Sequence, residues 1–280
     1  MSATVLSGKE LAAAIRTQTA AKAAELSAAG TPPKLAVVVA TADESSAWYV
    51  RSIAKAAEKV SITCDIFDLG PDAADTDIRH TLDALCADES VHGIILQTPL
   101  PDGVNAQEVA LSICFDKDID GANPLSLGRL AAGLPAFAPA TAEAVVRILD
   151  YHKVELSGQH VAMVGRSTVV GKPAAHLLLD KNATVTVCHS RTKDLAAVTS
   201  TADIVVAAVG RAGLITAEHV APGAVVVDVG TNPTDDGGLV GDVDAASVNE
   251  RAGALTPVPG GVGPVTTALL LHHTIQAATR

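Results

Sequence analysis

Short apolar runs alternate with helix-length segments along the whole chain. The runs at 35–40, 62–67, 92–96, 161–164, 184–188, 204–208 and 224–229 have strand length. Several are continuously apolar rather than alternating, as expected of strands covered on both faces. Such strands, separated by helical segments, predict an α/β protein with mainly parallel sheets. Ser7-Gly8-Lys9-Glu10 fits a capping box at the start of a first, Ala-rich helix, and Gly30 suits its far end. Between 123 and 142, Pro124, Gly128, Gly133, Pro135 and Pro139 interrupt any strand pattern and mark a boundary. The expected division is 1–138, with a helix at 265–280 returning to it, and 139–264.

Composition narrows the picture. A chain of 280 residues can bury a sizeable core in two lobes, and with 48% hydrophobic but only 2% aromatic residues, that core is aliphatic. A net charge of −11 and a pI near 5.2 argue against nucleic-acid or anionic-membrane partners, which need a basic footprint. A small anionic ligand remains compatible, since backbone N–H groups and a few cations can hold one. No apolar run has bilayer-spanning length, and the first residues lack a signal-peptide pattern. Cys64, Cys86, Cys114 and Cys188 are widely spaced and read as buried free thiols in a reducing compartment. The expectation is a cytoplasmic protein.

Candidate chemistry begins at Gly165-Arg166-Ser167-Thr168-Val169-Val170-Gly171, which follows the run 161–164 and precedes a helical segment. A strand, a glycine-bounded turn and a helix N-terminus make an anion cradle from backbone N–H groups and the helix dipole. The spacing is not G-x-G-x-x-G, so the turn alone also fits a plain strand-to-helix corner. The next strand ends at Cys188-His189-Ser190-Arg191-Thr192-Lys193. NAD-binding folds usually place an acid there, on the ribose hydroxyls. A hydroxyl and two cations would instead accept a 2′-phosphate, with Arg166 in reach, and they select NADP.

Three further stretches carry a resemblance: Gln97-Thr98-Pro99-Leu100-Pro101, Asp116-Lys117-Asp118-Ile119-Asp120-Gly121, and Thr256-Pro257-Val258-Pro259-Gly260-Gly261-Val262-Gly263-Pro264. In this order, with the turns at Gly165 and Ser190, they resemble the methylenetetrahydrofolate dehydrogenase/cyclohydrolase family over essentially the whole chain. The resemblance implies an N-terminal α/β folate-binding lobe, a Rossmann-like NADP-binding lobe, an active-site cleft between them and a homodimer. It implies oxidation of 5,10-methylenetetrahydrofolate with NAD(P), then hydrolysis of the methenyl cation to 10-formyltetrahydrofolate. By matching position, Tyr49 stacks on the folate rings, Gln97 sits beside the reacting carbon, and Asp120 bonds the pterin edge. Pro259, Gly260, Gly261, Val262 and Gly263 line the cleft near both ligands. Gly165, Arg166, Ser167, Gly171, Ser190 and Arg191 hold the cofactor.

One position departs from the family. Its motif Tyr-Val-x-x-Lys ties a lysine to the cyclohydrolase step, whereas this chain reads Tyr49-Val50-Arg51-Ser52-Ile53-Ala54-Lys55. Tyr49 and Ile53 share a helix face; Lys55 and Arg51 point elsewhere. Loss of a positioned acid/base typically costs on the order of 10²- to 10⁴-fold, whereas hydride transfer rests on orientation. The expectation is a dehydrogenase with weak or absent cyclohydrolase activity. The alternatives are a fully bifunctional enzyme and a non-catalytic folate or dinucleotide sensor. Asp116, Asp118 and Asp120 imitate a calcium loop, but position twelve is Leu127, and no metal is expected. His272 and His273 read as helix and surface residues.

Overall fold

The apolar runs form the strands of two parallel sheets in the computed structural model, which describes residues 2–234 and 237–280. In chain order the strands are β1 (Thr4–Val5), β2 (Lys34–Val39), β3 (Thr63–Asp68), β4 (Gly93–Leu96), β5 (His160–Val164) and β6 (Thr184–Cys188). There follow β7 (Ile204–Ala207), β8 (Val225–Asp228), β9 (Asn232–Pro233), β10 (Leu239–Val240) and β11 (Ala254–Leu255). The chain divides into two units: Ala13–Ala140 with Thr267–Arg280, and the segment up to Ala12 with Thr141–Thr266.

The first unit holds a three-stranded parallel sheet of order β3-β2-β4. Leu35 to Ala40 are all buried, so the central strand has no polar face to show. Ala36, Val38 and Ala40 pack with Ile78, Leu82 and Leu85. Those last three lie on the helix Asp75–Ala87, at the spacing of one helical face. Helix α1 is Lys9–Ala28 and α2 is Glu44–Glu58. The buried residues of α2 are Ser46, Val50, Ile53 and Ala57, one stripe at helical spacing.

The second unit holds a six-stranded sheet, β1-β11-β8-β7-β5-β6, with every pairing parallel. β9 and β10 form a separate antiparallel pair. β5 is flanked by β6 on one side and β7 on the other, so the connections from β5 reverse direction there. That reversal is the place where doubly wound sheets bind ligands, beyond the carboxyl ends of the strands.

Four expectations need correction. Residues up to Ala12 group with the six-stranded unit rather than with 13–138, because β1 pairs with β11: Thr4 N–H donates to Gly253 and Leu6 N–H to Leu255, both at 2.9 Å. Two-residue strands are too short to leave a pattern in the sequence. Ser7 Oγ accepts from Lys9 N–H at 3.3 Å, one residue earlier than a capping box requires. Cys86 and Cys114 form a disulfide, their Cα atoms 5.7 Å apart, and only Cys64 and Cys188 are free thiols. His273 is not a surface residue: it is 2% exposed.

Candidate active site

In the three-stranded unit the expected substrate residues lie on α2, at the end of β4 and in the acidic motif. Asp43 caps α2, accepting from Ser46 N–H at 2.7 Å, and bonds from Ser45 and Ser46 hold its carboxyl below the usual range. One turn on stands Tyr49, and four residues beyond it Ile53, with no exposed surface. Lys55 is exposed, away from the buried stripe that holds Ile53, and borders a shallow hollow with Glu58, Thr63 and Cys64.

Gln97 extends the end of β4, its N–H donating to Val38 at 2.9 Å. Its carboxamide donates to the Thr98 carbonyl at 2.6 Å and to Ser46 Oγ at 3.4 Å, which ties it to the start of α2. Ser46 was missed in the sequence reading, although it lies seven residues before Ile53 on the same stripe. The peptide bonds Thr98–Pro99 and Val258–Pro259, each inside a family motif, are cis.

The acidic motif separates into distinct roles. Lys117 Nζ donates to the carbonyls of Leu85, Cys86 and Asp88 at 3.2, 2.8 and 2.7 Å, closing the end of the helix Asp75–Ala87. Burial lowers the pKa of that ammonium, opposed by Asp88 and Glu89. Asp118 is fully buried and accepts from Ala122 N–H (2.8 Å), Asn123 N–H (3.1 Å) and the Ser126 hydroxyl. It is a turn-former, and burial still raises its pKa. Gly121 follows at φ +59°, where a Cβ would lie 2.7 Å from the Phe137 carbonyl.

Asp120 keeps more of its acceptor capacity than Asp118. It accepts from Ala140 N–H at 3.0 Å. Burial pushes its pKa up to about 6; the Ala140 bond and His273 oppose that rise, and the Asp118 charge adds to it. The Tyr49 phenol is also raised, by burial first and then by the charge of Asp120, so the phenol stays neutral and the two side chains sense each other. No group of three or more His, Cys, Asp or Glu among the described residues is arranged to hold a metal ion.

In the six-stranded unit, Gly165 leaves β5 at φ +128°, and a Cβ there would lie 2.1 Å from the Ala208 carbonyl, just beyond β7. A Cβ on Gly171 would lie 2.2 Å from the Gly165 carbonyl. Both glycines are therefore needed for the turn to close. Gly171 opens the helix Gly171–Asp180, and Ser167 Oγ accepts from Val170 and Gly171 N–H at 3.1 and 3.4 Å. Arg166 and Ser167 stay exposed beside that helix start. β5 and β6 are in register at Val164 and Cys188, so the turn after β6 opens beside Gly165. There Thr192 N–H donates to the His189 carbonyl and Arg191 N–H to His189 Nδ1, at 2.8 and 3.1 Å. Ser190 and Arg191 are left exposed at the tip, with no acid at the strand end. This glycine cradle and basic turn fit a dinucleotide with an additional phosphate.

The proline–glycine segment is packed more tightly than a ligand-lining loop would require. Gly260, Gly261 and Val262 are buried, and Gly8 N–H donates to the Gly260 carbonyl at 3.0 Å. A Cβ on Gly8 would lie 2.1 Å from the Gly261 carbonyl. Pro259 and Gly263 remain exposed. A buried carboxylate absent from the sequence reading also shapes this unit: Asp242 accepts from the N–H groups of Val209, Gly210 and Arg211 at 2.6, 3.0 and 2.9 Å. It also accepts from Asn232 Nδ2 at 2.9 Å.

Both halves of the chain match models of one family. Residues 6–120 match the tetrahydrofolate dehydrogenase/cyclohydrolase catalytic domain, and 139–280 match its NAD(P)-binding domain. The chain belongs to the tetrahydrofolate dehydrogenase/cyclohydrolase family. It is 66% identical over 275 residues to bifunctional protein FolD 1 of Saccharopolyspora erythraea, covering 98% of this chain and 94% of that one. The bifunctional FolD crystal structure from Campylobacter jejuni superposes with TM-score 0.95 at 38% identity, covering 99% and 98% of the two chains. The Trypanosoma brucei FolD structure, complexed with NADP cofactor and an inhibitor, gives TM-score 0.95 at 34% identity, with coverage of 100% and 98%. The family's catalytic domain therefore carries Tyr49, Gln97 and Asp120, and its NAD(P)-binding domain carries the cradle at Gly165. Among the described residues no helix is long and apolar enough to cross a membrane.

Proposed function

We propose that this chain is an NADP-dependent 5,10-methylenetetrahydrofolate dehydrogenase that also hydrolyses the methenyl product to 10-formyltetrahydrofolate. The observation that carries the reading is the joining of Tyr49, Gln97 and Asp120 on one unit of a chain that matches both family domains. In this reading Asp120 accepts the paired N–H donors of the pterin edge, a role suited to a carboxylate. Tyr49, kept neutral, stacks on the folate rings, and Gln97, held by Ser46 and Thr98, lies beside the reacting carbon. Gly165, Ser167 and Gly171 cradle the pyrophosphate, while Arg166, Ser190 and Arg191 take the 2′-phosphate. Within the proline–glycine segment, Pro259 and Gly263 are the exposed members open to a ligand, whereas Gly260, Gly261 and Val262 are buried and serve the packing. NADP, when bound, accepts the hydride that the substrate's own nitrogen lone pair helps to expel. The protein contributes orientation, and this alone can lower the barrier substantially. A cytoplasmic homodimer is the assembly this reading expects.

The names of the curated relatives support both activities over the dehydrogenase-only expectation. One observation favours a second reading, with hydrolysis weak or absent: the family lysine position is Ile53, buried and unable to carry a proton. One assay separates the two. Purified protein is mixed with methylenetetrahydrofolate and NADP, following NADPH and methenyl absorbance together, with a parallel NAD run. Methenyl consumption faster than the uncatalysed blank establishes the bifunctional enzyme; accumulation that decays only at the blank rate establishes the second reading. Absence of turnover with either cofactor overturns both and leaves a sensor.

A further inference from the structure

The C-terminal helix, Val262–Ala278, carries a histidine directly behind the acidic motif. His273 is buried, and its Nδ1 lies 2.8 Å from the Ile119 carbonyl. A carbonyl only accepts, so Nδ1 carries the hydrogen and donates it. The ring also packs on Phe137, centroids 5.2 Å apart and planes at 37°, and the Arg280 guanidinium lies over the same phenyl ring at 4.3 Å.

These contacts converge on one peptide group. The Ile119 carbonyl belongs to the peptide unit that leads into Asp120. Behind it, Asp118 fixes Ala122, Asn123 and Ser126; ahead of it, Gly121 abuts the Phe137 carbonyl, and Ala140 N–H meets the Asp120 carboxylate. Every bond in this set except that of His273 comes from the motif itself or from the segment just after it. His273 contributes from the C-terminal helix, and it acts on the peptide plane that sets the direction of the Asp120 side chain.

We propose that His273 is a positioning residue for substrate binding: its Nδ1–H fixes the Ile119–Asp120 peptide and so aims Asp120 at the pterin edge. This rests on the reading of Asp120 as the pterin partner. His273 itself touches no substrate. The electrostatic influence of His273 on Asp120 agrees with their closeness.

The test uses three variants of the full chain in the dehydrogenase assay, measuring KM for methylenetetrahydrofolate, KM for NADP, kcat and Tm. His273→Leu removes the donor and raises the folate KM about tenfold, the equivalent of one buried hydrogen bond, while the NADP KM stays within about twofold, well short of that loss. His273→Asn, whose amide nitrogen can take the place of Nδ1, restores most of the folate KM. Asp120→Asn raises the folate KM at least as far as His273→Leu does. An unchanged folate KM in His273→Leu, beside a raised one in Asp120→Asn, overturns the role of His273 alone. Both KM values moving together in proportion to Tm also overturns it, as that is ordinary destabilisation. An unchanged folate KM in Asp120→Asn overturns the underlying assignment and this inference with it. Should His273→Leu fail to fold, His273→Gln supplies a displaced donor. It is expected to raise the folate KM, and an unchanged value overturns the proposal.

Discussion

Replacing Ile53 with lysine asks whether one side chain limits the hydrolytic half of the reaction. Ile53 has no exposed surface and lies on the buried stripe of α2 between Val50 and Ala57, one turn from Tyr49. Its full burial is worth roughly 1.5–3 kcal/mol relative to exposure. A lysine recovers part of that through its methylene stem while its ammonium reaches for water or polar partners. The net cost of Ile53→Lys is therefore about 1–3 kcal/mol, small enough for a folded protein of ordinary stability. Against that cost stands the return of a positioned proton carrier, typically worth on the order of 10²-fold or more. The assay supplies the methenyl compound directly, without NADP, and follows its absorbance against an enzyme-free blank, with Tm recorded for both proteins. If the parent chain is bifunctional, another group already moves the proton, and Ile53→Lys leaves hydrolysis within about tenfold of the parent. If hydrolysis is weak for want of a proton carrier, Ile53→Lys speeds it by about two orders of magnitude. Hydride transfer, which needs orientation rather than a proton carrier, is expected to change far less. A gain of about two orders of magnitude in a folded variant refutes the bifunctional reading; no gain over a parent chain that already hydrolyses rapidly supports it, with another group moving the proton.

Further outcomes follow from the two units. Gly165→Ala forces a Cβ to within 2.1 Å of the Ala208 carbonyl at φ +128°; NADP affinity measured by calorimetry should fall more than about tenfold, and preserved affinity would contradict the close-approach argument. Asp242→Ala strips four N–H donors of their acceptor and should lower unfolding free energy in urea by about 3 kcal/mol; a loss under about 1 kcal/mol would mean that water replaces the carboxylate. Because the Asp120 pKa is raised to about 6, its carboxylate is charged above that pH and neutral below it, so kcat/KM for the folate should fall as pH drops through 6. Asp120→Asn should lower the plateau and remove that limb; a limb that survives the substitution belongs to another group. Arg191→Asp at the exposed tip after β6 should raise the KM for NADP far more than that for NAD, and an equal effect on both would remove Arg191 from the 2′-phosphate site.

What could be read from the sequence tracks how much each feature depends on local pattern. Strands β2, β4, β5, β7 and β8 announced themselves because burial on both faces leaves a continuous apolar run. β1 and β11 did not, since a two-residue strand has no period, and with them went the true membership of the chain's first residues. The cysteine pair was invisible for a related reason: 28 residues separate Cys86 from Cys114, and only the folded path brings them together. Tyr49, Gln97 and Asp120 come from three stretches, and no spacing rule connects them; family resemblance named them, and the structure ties Gln97 to the start of α2 and sets the Asp120 charge near Tyr49.

The acidic motif shows most clearly where sequence reading stops. Asp116, Asp118 and Asp120 are equivalent as letters, and alternation alone would assign them one role. The structure separates them by hydrogen bonding: Asp118 is consumed by two backbone N–H groups and a hydroxyl, and Asp116 pairs with Arg280. Asp120 has a single backbone donor and a raised pKa, so it keeps acceptor capacity that a ligand can use. Under-satisfaction of a partly buried carboxylate is costly unless something binds it, and this marks Asp120 as the motif's candidate for a ligand on physical grounds alone. The same reasoning applies to Ile53 in reverse. A buried isoleucine in a sound core stripe carries no physical sign of a missing function; it becomes a question about hydrolysis only because a family motif names that position.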